Sequence, residues 1–267
     1  MIKANTHSNT HSHSTPLSIP QAPFVQAAPS QAKTQDTGQN GGLYNMFHSN
    51  FDLLVANTPN LMQQAYRIRY HAYCLEKCFE SQEENPDGVE TDDYDAHSVH
   101  ALLRHKRSGL FLGTMRMIFR TPDNVLLPIQ KARHGADHFL REEHIPGSFV
   151  EISRFCISQE RRKKTGDDSL VLNLGMTGLV LSTFWLSEKF KVSHWIGAME
   201  PFLFGRLARL GVTMDHVGDP FEYHGKRQSF MTDIQSTLGR IAQTHPHVWM
   251  LMSNSGVLNL KENPGAM

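Results

Sequence analysis

At 267 residues the chain is long enough to bury a full core, and its 26 Lys and Arg against 26 Asp and Glu exclude the cationic excess of a dedicated nucleic-acid binder. Its three cysteines, Cys74, Cys78 and Cys156, form no CxxC, which argues for a reducing compartment and against a disulfide framework or zinc knuckle. No apolar run of signal-peptide character opens the chain and none looks apolar enough to span a bilayer, so a cytoplasmic protein is expected; Leu170 to Leu186 comes nearest and reads as a core helix.

In chain order, residues 1–44 are rich in Ser, Thr, His, Gln, Asn, Pro and Gly and are expected to form a disordered polar arm. Residues 45–250 are expected to fold as one domain and residues 251–267 to be a C-terminal tail. Phe51 to Ala56 reads as the first strand. Thr58 then caps a helix with Pro59 at its first position, and Leu61, Ala65, Ile68, Ala72, Leu75 and Phe79 recur at helical spacing to make one apolar face. Arg69 and Tyr73 are four apart and share a neighbouring face.

Residues 80–97 are acidic, and Pro86 and Gly88 break any helix there. The run lacks the alternating carboxylates of a calcium loop, which leaves a solvated loop or a receiver for a cationic amine at Asp92 and Asp95. Val99 to Arg107 and Leu110 to Arg120 are predicted strands of a hairpin joined by Ser108-Gly109. Arg116 lies among apolar neighbours in the second strand, so it must pair with a carboxylate or face a cleft.

A helix from about Ile129 to Glu143 leads into a strand, Phe149 to Ser158, that carries Glu151 and Arg154 among apolar residues. These two have opposite parity on a regular strand, so both face one cleft only if a bulge intervenes. The basic run Arg161-Arg162-Lys163-Lys164 follows. Asp168 is predicted to cap a helix reaching about Glu188, Val192 to Met199 to return as a strand, and Glu200-Pro201 to start a helix that Gly211 ends. Val212 to Val217 is the last predicted strand. Strands alternating with helices after a hairpin predict a mixed α/β sheet.

No GxSxG, HExxH, GxxxxGK[ST] or Rossmann glycine fingerprint is present, so the corresponding hydrolase, protease, P-loop and dinucleotide readings lose their support. The order of elements resembles the GNAT acyltransferase fold. That resemblance implies an α/β fold: a mixed, mostly antiparallel central sheet flanked by helices and splayed at its central strand, where the opening admits a pantetheine arm. The GNAT pyrophosphate loop, [RQ]xxGx[GA], is not matched; the nearest stretch is Lys163-Lys164-Thr165-Gly166-Asp167-Asp168.

Arg69-x-x-x-Tyr73, Glu90-x-Asp92-x-x-Asp95, Gly113-x-x-Arg116 and Glu151-x-x-Arg154-Phe155 occur in the order and approximate spacing of the acyl-homoserine-lactone (autoinducer) synthases. The wording of Tyr73-Cys74-x-Glu76-x-x-Phe79-Glu80, Asp95-x-His97-Ser98-x-His100, Glu200-Pro201 and Tyr223-His224-Gly225-x-Arg227 is similar to the acyltransferases associated with PEP-CTERM/exosortase systems, which are grouped with the N-acyl amino acid synthases. Phe79 stands where the lactone synthases place a Trp, a departure from a site built for S-adenosylmethionine.

The resemblance implies an N-acyltransferase that moves a long-chain fatty acyl group from acyl carrier protein to the amine of an amino acid or similar small molecule. Acyl-phosphopantetheine would be the co-substrate, with no tightly bound cofactor, no metal, no nucleic acid and no transmembrane segment. Glu151 suits the base that takes the ammonium proton. Arg69, Tyr73, Glu90, Asp92, Asp95, Arg116, Arg154 and Phe155 then hold the amino substrate, or the same ion pairs fasten the acidic loop to the sheet and helix. Arg161, Arg162, Lys163 and Lys164 offer an anion site for the carrier protein or the phosphopantetheine phosphate. Met176, Phe184, Trp185, Phe202 and Phe204 either line an acyl pocket or fill the core. Two alternatives remain at this level: an acyl-homoserine-lactone synthase using S-adenosylmethionine, and a non-catalytic GNAT-fold acyl-binding or scaffold module.

Overall fold

A computed structural model describes residues 42–121, 126–133 and 145–253. Its first helix, α1 (Gly42–Asn50), takes in the last three residues assigned above to the polar arm and seats Phe47 in the core, while residues 1–41 lie outside the described residues. Strand β1 (Phe51–Val55) follows, then α2 (Pro59–Arg69), whose first turn is capped by Thr58 Oγ1 accepting from Leu61 N–H at 3.3 Å.

Beyond α2 the chain continues as a π-helical turn, Tyr70–Glu76. A π turn spaces its hydrogen bonds one residue wider, so the apolar face slips out of step. Ala65, Ile68 and Ala72 are buried as predicted, but Leu75 is 40% exposed and Cys74 is buried in its place.

Strands β2 (Ser98–His105) and β3 (Phe111–Ile118) form the predicted hairpin, joined by residues 106–110 and not by the two-residue Ser108-Gly109 turn. A register shift at Leu103/Arg104 absorbs the longer connection, and Gly109 takes a left-handed φ of +70°. Helix α3 is described over Pro128–Ala132; most of the rest of the predicted helix to Glu143 lies outside the described residues. Strand β4 (Phe149–Ile157) precedes the short α4 (Gln159–Lys163).

The next helical run comprises α5 (Asp168–Leu170), a second π turn (Val171–Gly175) and α6 (Met176–Phe190). Asp168 is its first helical residue and not its cap; Asp167 precedes it and makes no side-chain capping bond. The run is long and apolar enough to cross a membrane, and 72% of its most apolar window is buried within the fold. It is a core helix: Phe184 meets Trp195 edge-on at 4.6 Å, and Trp195 Nε1 donates to Ser187 Oγ at 2.7 Å.

Strand β5 (His194–Met199) and α7 (Pro201–Ala208) follow. Strand β6 (Asp215–Glu222) starts and ends later than predicted because it pairs with β7 (Lys226–Asp233), a strand the sequence reading did not anticipate. Helices α8 (Ile234–Thr244) and α9 (Pro246–Ser253) complete the described chain; α9 extends two residues past the expected start of the tail, and residues 254–267 lie outside the described residues.

Among the described residues seven strands form one sheet in the order β1-β2-β3-β4-β5-β7-β6. Every neighbour is antiparallel except β4 and β5. That parallel pair is short: Phe149, Val150 and Glu151 oppose His194, Trp195 and Ile196, and the pairing then stops. The mixed α/β sheet is therefore split at its centre, in keeping with the GNAT-like expectation.

Candidate active site

The split lies beside a register shift on β4 and a close backbone approach on β5. On β4, the register with β3 passes from Thr114↔Cys156 to Arg116↔Ser153, so two steps along β3 oppose three along β4. This is a β-bulge, and Arg154 within it has a left-handed φ of +47°. On β5, Gly197 lies so close to the β4 backbone that a Cβ there would sit 2.8 Å from the Ile152 carbonyl oxygen. The bulge required by the parity argument is present, and Glu151, Ser153, Arg154 and Phe155 all line one cavity of about 740 Å³.

Glu151 is 4% exposed, and its Oε2 accepts from Ile129 N–H at 2.9 Å in the first turn of α3. Burial raises its pKa to about 7, outweighing the Ile129 hydrogen bond and the attraction of Arg116 and Arg154. A carboxyl group poised near neutrality on a cavity wall has the protonation behaviour of a general base. Cys156 also lines the cavity, but burial pushes its thiol up to about 12, which keeps it out of the thiolate form.

Around Glu151 the arginines and acids divide into two layers. In the inner layer Arg69, with a fully buried side chain, reaches Glu90 through Nε at 2.5 Å and Asp95 through Nη1 at 2.6 Å. None of the three lines the cavity. Burial alone would raise Glu90, yet the hydrogen bonds and charges of Arg69 and Arg154 hold it at about 2. Asp95 is likewise held below the ordinary carboxylate range, against burial, by His100, Arg69 and Arg116.

The outer layer faces the cavity. Arg116 Nη1 meets Asp92 at 2.5 Å and Asp95 at 2.8 Å, and its Nε donates to Ser153 Oγ at 3.0 Å. Arg154 Nη2 meets Glu90 at 2.8 Å and Glu80 at 2.9 Å, and its guanidinium lies 5.3 Å from the centre of the Tyr73 ring. Asp92 caps the turn Asp93–His97 by accepting from Tyr94 N–H, while Asp95 accepts from Asp92 N–H, so the acidic loop is braced locally as well.

The structure thus brings Tyr73, Asp92, Arg116, Glu151, Arg154 and Phe155 to the cavity and places Arg69, Glu90 and Asp95 behind them. In the basic run, Arg161 donates to the Phe111 carbonyl, Arg162 pairs with Asp168 at 3.0 Å on the cavity wall, Lys164 pairs with Glu160, and Lys163 is exposed. The N-terminus of α4 is filled by Glu76, whose carboxylate accepts from Ser158 Oγ, Gln159 N–H and Glu160 N–H at 2.8–3.0 Å.

Of the candidate pocket residues, Met176 and Phe202 line the cavity, whereas Phe184, Trp185 and Phe204 do not. Its apolar lining includes Val180, Trp195, Leu203, Leu207 and Phe230, contributed by α6, β5, α7 and β7. Ser153, Glu200 and Arg206 also line it, and the sequence reading gave none of them a site role. Ser153 and Arg206 carry no local signal, since their position depends on the bulge and on how α7 lies over the split.

No curated protein matches the chain. The acetyltransferase (GNAT) domain family matches residues 68–172. Among solved structures, the AHL synthase LasI shares 12% identity over 80% of this chain and 98% of its own, with a TM-score of 0.53. FeeM, an N-acyl amino acid synthase from uncultured soil microbes, shares 14% identity over 71% of this chain and 94% of its own, with a TM-score of 0.50. BjaI, a CoA-dependent acyl-homoserine lactone synthase, shares 18% over 78% and 88%, with a TM-score of 0.50. At these identities the common property is the fold. Residues 68–172, which hold the acidic loop, the hairpin and the bulged strand, match the acetyltransferase (GNAT) domain family, and the chain has a GNAT-like fold.

Proposed function

We propose that the protein is an N-acyltransferase that moves a long-chain fatty acyl group from the phosphopantetheine of acyl carrier protein to the amine of an amino acid or similar small molecule. The observation that carries this reading is Glu151, a buried carboxyl with a pKa near 7 on the wall of a cavity at the sheet split. The incoming ammonium gives its proton to the Glu151 carboxylate, directly or through a water, and the free amine attacks the thioester carbonyl. Backbone N–H groups on the side of β4 left without a strand partner beyond Glu151 stabilise the oxyanion. Collapse of the tetrahedral adduct breaks the C–S bond, the departing thiolate takes the proton back from Glu151, and the second amine proton passes to solvent to leave a neutral amide.

The apolar wall from α6, β5, α7 and β7 suits the acyl chain. Asp92, Arg116 and Arg154 hold the acceptor end, with Tyr73 and Phe155, while Arg69, Glu90 and Asp95 brace them from behind. The unmatched pyrophosphate loop and the Glu76 carboxylate at the α4 N-terminus favour a carrier-protein donor over coenzyme A. Lys163 and Lys164 present charge to an acidic carrier surface, with Arg161 and Arg162 behind them. The setting is the cytoplasm, and the PEP-CTERM association rests on the motif wording alone.

The test is incubation with carrier protein loaded with a long-chain acyl group and a panel of amino acids, read by mass spectrometry. An N-acyl amino acid is expected. A lactone formed only with S-adenosylmethionine, or tight acyl binding with no amide from any donor and amine, would sink the reading.

A further inference from the structure

Two cavity arginines, Arg206 and Arg227, are hydrogen-bonded to no carboxylate among the described residues, and of these Arg206 is exposed while Arg227 is largely buried. Arg116 and Arg154 are each bonded to two carboxylates, and Arg162 to one. The two hydrogen bonds Arg227 makes go to backbone carbonyls, from Nη2 to His224 at 2.7 Å and from Nη1 to Lys226 at 3.3 Å. Its nearest carboxylate, Glu200, is 3.7 Å away, beyond hydrogen-bonding distance, and is itself held by Lys77 at 2.6 Å. A guanidinium has five N–H donors, so three of those of Arg227 remain for a carboxylate carried by a ligand.

The side chain is also held still. It is 12% exposed, its guanidinium lies 5.0 Å from the centre of the Phe79 ring, and the tight turn at His224 and Gly225, both at positive φ, aims the His224 carbonyl at it. Phe79 in turn stands 6.5 Å from Tyr73, the ring over which Arg154 sits, so one wall of the cavity runs from the acidic network to Arg227.

Charge is distributed unevenly along that wall. The network around Glu151 sets Glu80, Glu90, Asp92 and Asp95 against Arg69, Arg116 and Arg154, leaving a negative surplus. The cluster beyond Phe79 sets Lys77 and Arg227 against Glu200, leaving a positive one. Such a field aligns a zwitterion with its ammonium toward Glu151 and its carboxylate toward Arg227.

We propose that Arg227 is the anchor for a carboxylate carried by the acceptor, which makes the acceptor class an amino acid and not a simple amine. This rests on the acyl-transfer reading. Binding of N-hexadecanoylglycine and N-hexadecanoyl-γ-aminobutyrate is compared calorimetrically with that of their neutral carboxamides, in wild type, Arg227→Gln and Arg227→Lys. Wild type is expected to favour at least one carboxylate about tenfold or more over its carboxamide, Arg227→Gln to lose that preference, and Arg227→Lys to keep part of it. Circular dichroism establishes that the variants are folded.

Absence of a preference in wild type, or its survival in Arg227→Gln, overturns the anchor. So does a variant whose preference is intact but whose affinity for acyl-phosphopantetheine falls, because the anion would then be the donor phosphate. The amide-forming assay separates the two levels. Preference without amide formation sinks the acyl-transfer reading and leaves the anchor, whereas amide formation without an Arg227-dependent preference sinks the anchor alone.

Discussion

Glu151 owes its behaviour to position. A solvated glutamate is ionised at neutral pH and a poor base; burial lifts this one to about 7, where it accepts a proton and releases it. Turnover in wild type is therefore expected to rise with pH through about 7 as the carboxylate ionises. Glu151→Gln should lower turnover by about 10²-fold or more and abolish that limb, with the far-UV spectrum and melting transition retained. Steady-state rates between pH 5.5 and 8.5 check both points. Arg69 is the opposite kind of residue, buried and away from the cavity. Arg69→Met leaves Glu90 with Arg154 and Asp95 with Arg116 and His100, and urea denaturation is expected to show a loss of about 3 kcal/mol, the lower end for a broken buried ion pair. Glu151 was legible in the sequence as a charge set among apolar residues, and Arg69 as the neighbour of Tyr73 on a face beside the apolar one. What was not legible was the layer each occupies, because exposure of Arg69 depends on the acidic loop folding over it.

Among elements, β4 and β5 matter most because their separation creates the cavity. Gly197→Ala would place a methyl 2.8 Å from the Ile152 carbonyl oxygen and 3.0 Å from the Phe230 ring. A cost of about 1–3 kcal/mol is expected from urea denaturation, together with weaker binding of long acyl ligands. Gly205→Ala in α7 is the matched comparison: nothing lies within 4 Å of the added methyl, and a helical Gly→Ala change should stabilise by up to about 1 kcal/mol. The elements themselves were readable wherever local patterning decided them, as in the Thr58-Pro59 start of α2 and the apolar run of β4. Leu75 was misplaced because a π turn changes the helical period without any residue that announces it. Strand β7 went unread because it alternates weakly and is stabilised by pairing on both sides with β5 and β6.

At the scale of the whole molecule, stability should depend on pH through two opposing groups. Glu90 is held at about 2, below its unfolded value near 4.5, so its contribution is complete above 4.5 and lost as pH falls toward 2; Asp95 adds in the same direction. Glu151 is raised to about 7, so the folded state keeps a proton that the unfolded chain gives up. Its effect is a destabilisation that grows as pH rises from about 4.5 to 7, by as much as about 3 kcal/mol. Urea midpoints are expected to collapse below pH 4, to peak near pH 5 and to decline toward neutrality. Glu151→Gln should remove the decline and leave the acid limb.

By itself the sequence determined the fold class, the acid and base residue types, and the need for a bulge between Glu151 and Arg154, since apolar periodicity, capping and strand parity are local properties of the chain. Only the tertiary structure decided that the bulge falls at Arg154 with a left-handed backbone, that the sheet opens beyond Glu151, and that Arg69, Glu90 and Asp95 lie behind the cavity wall while Arg227 lies on it. Those outcomes depend on which distant segments meet and exclude water together. Burial and charge pairing, which set both the Glu151 pKa and the carboxylates left to each arginine, exist only after the chain has closed.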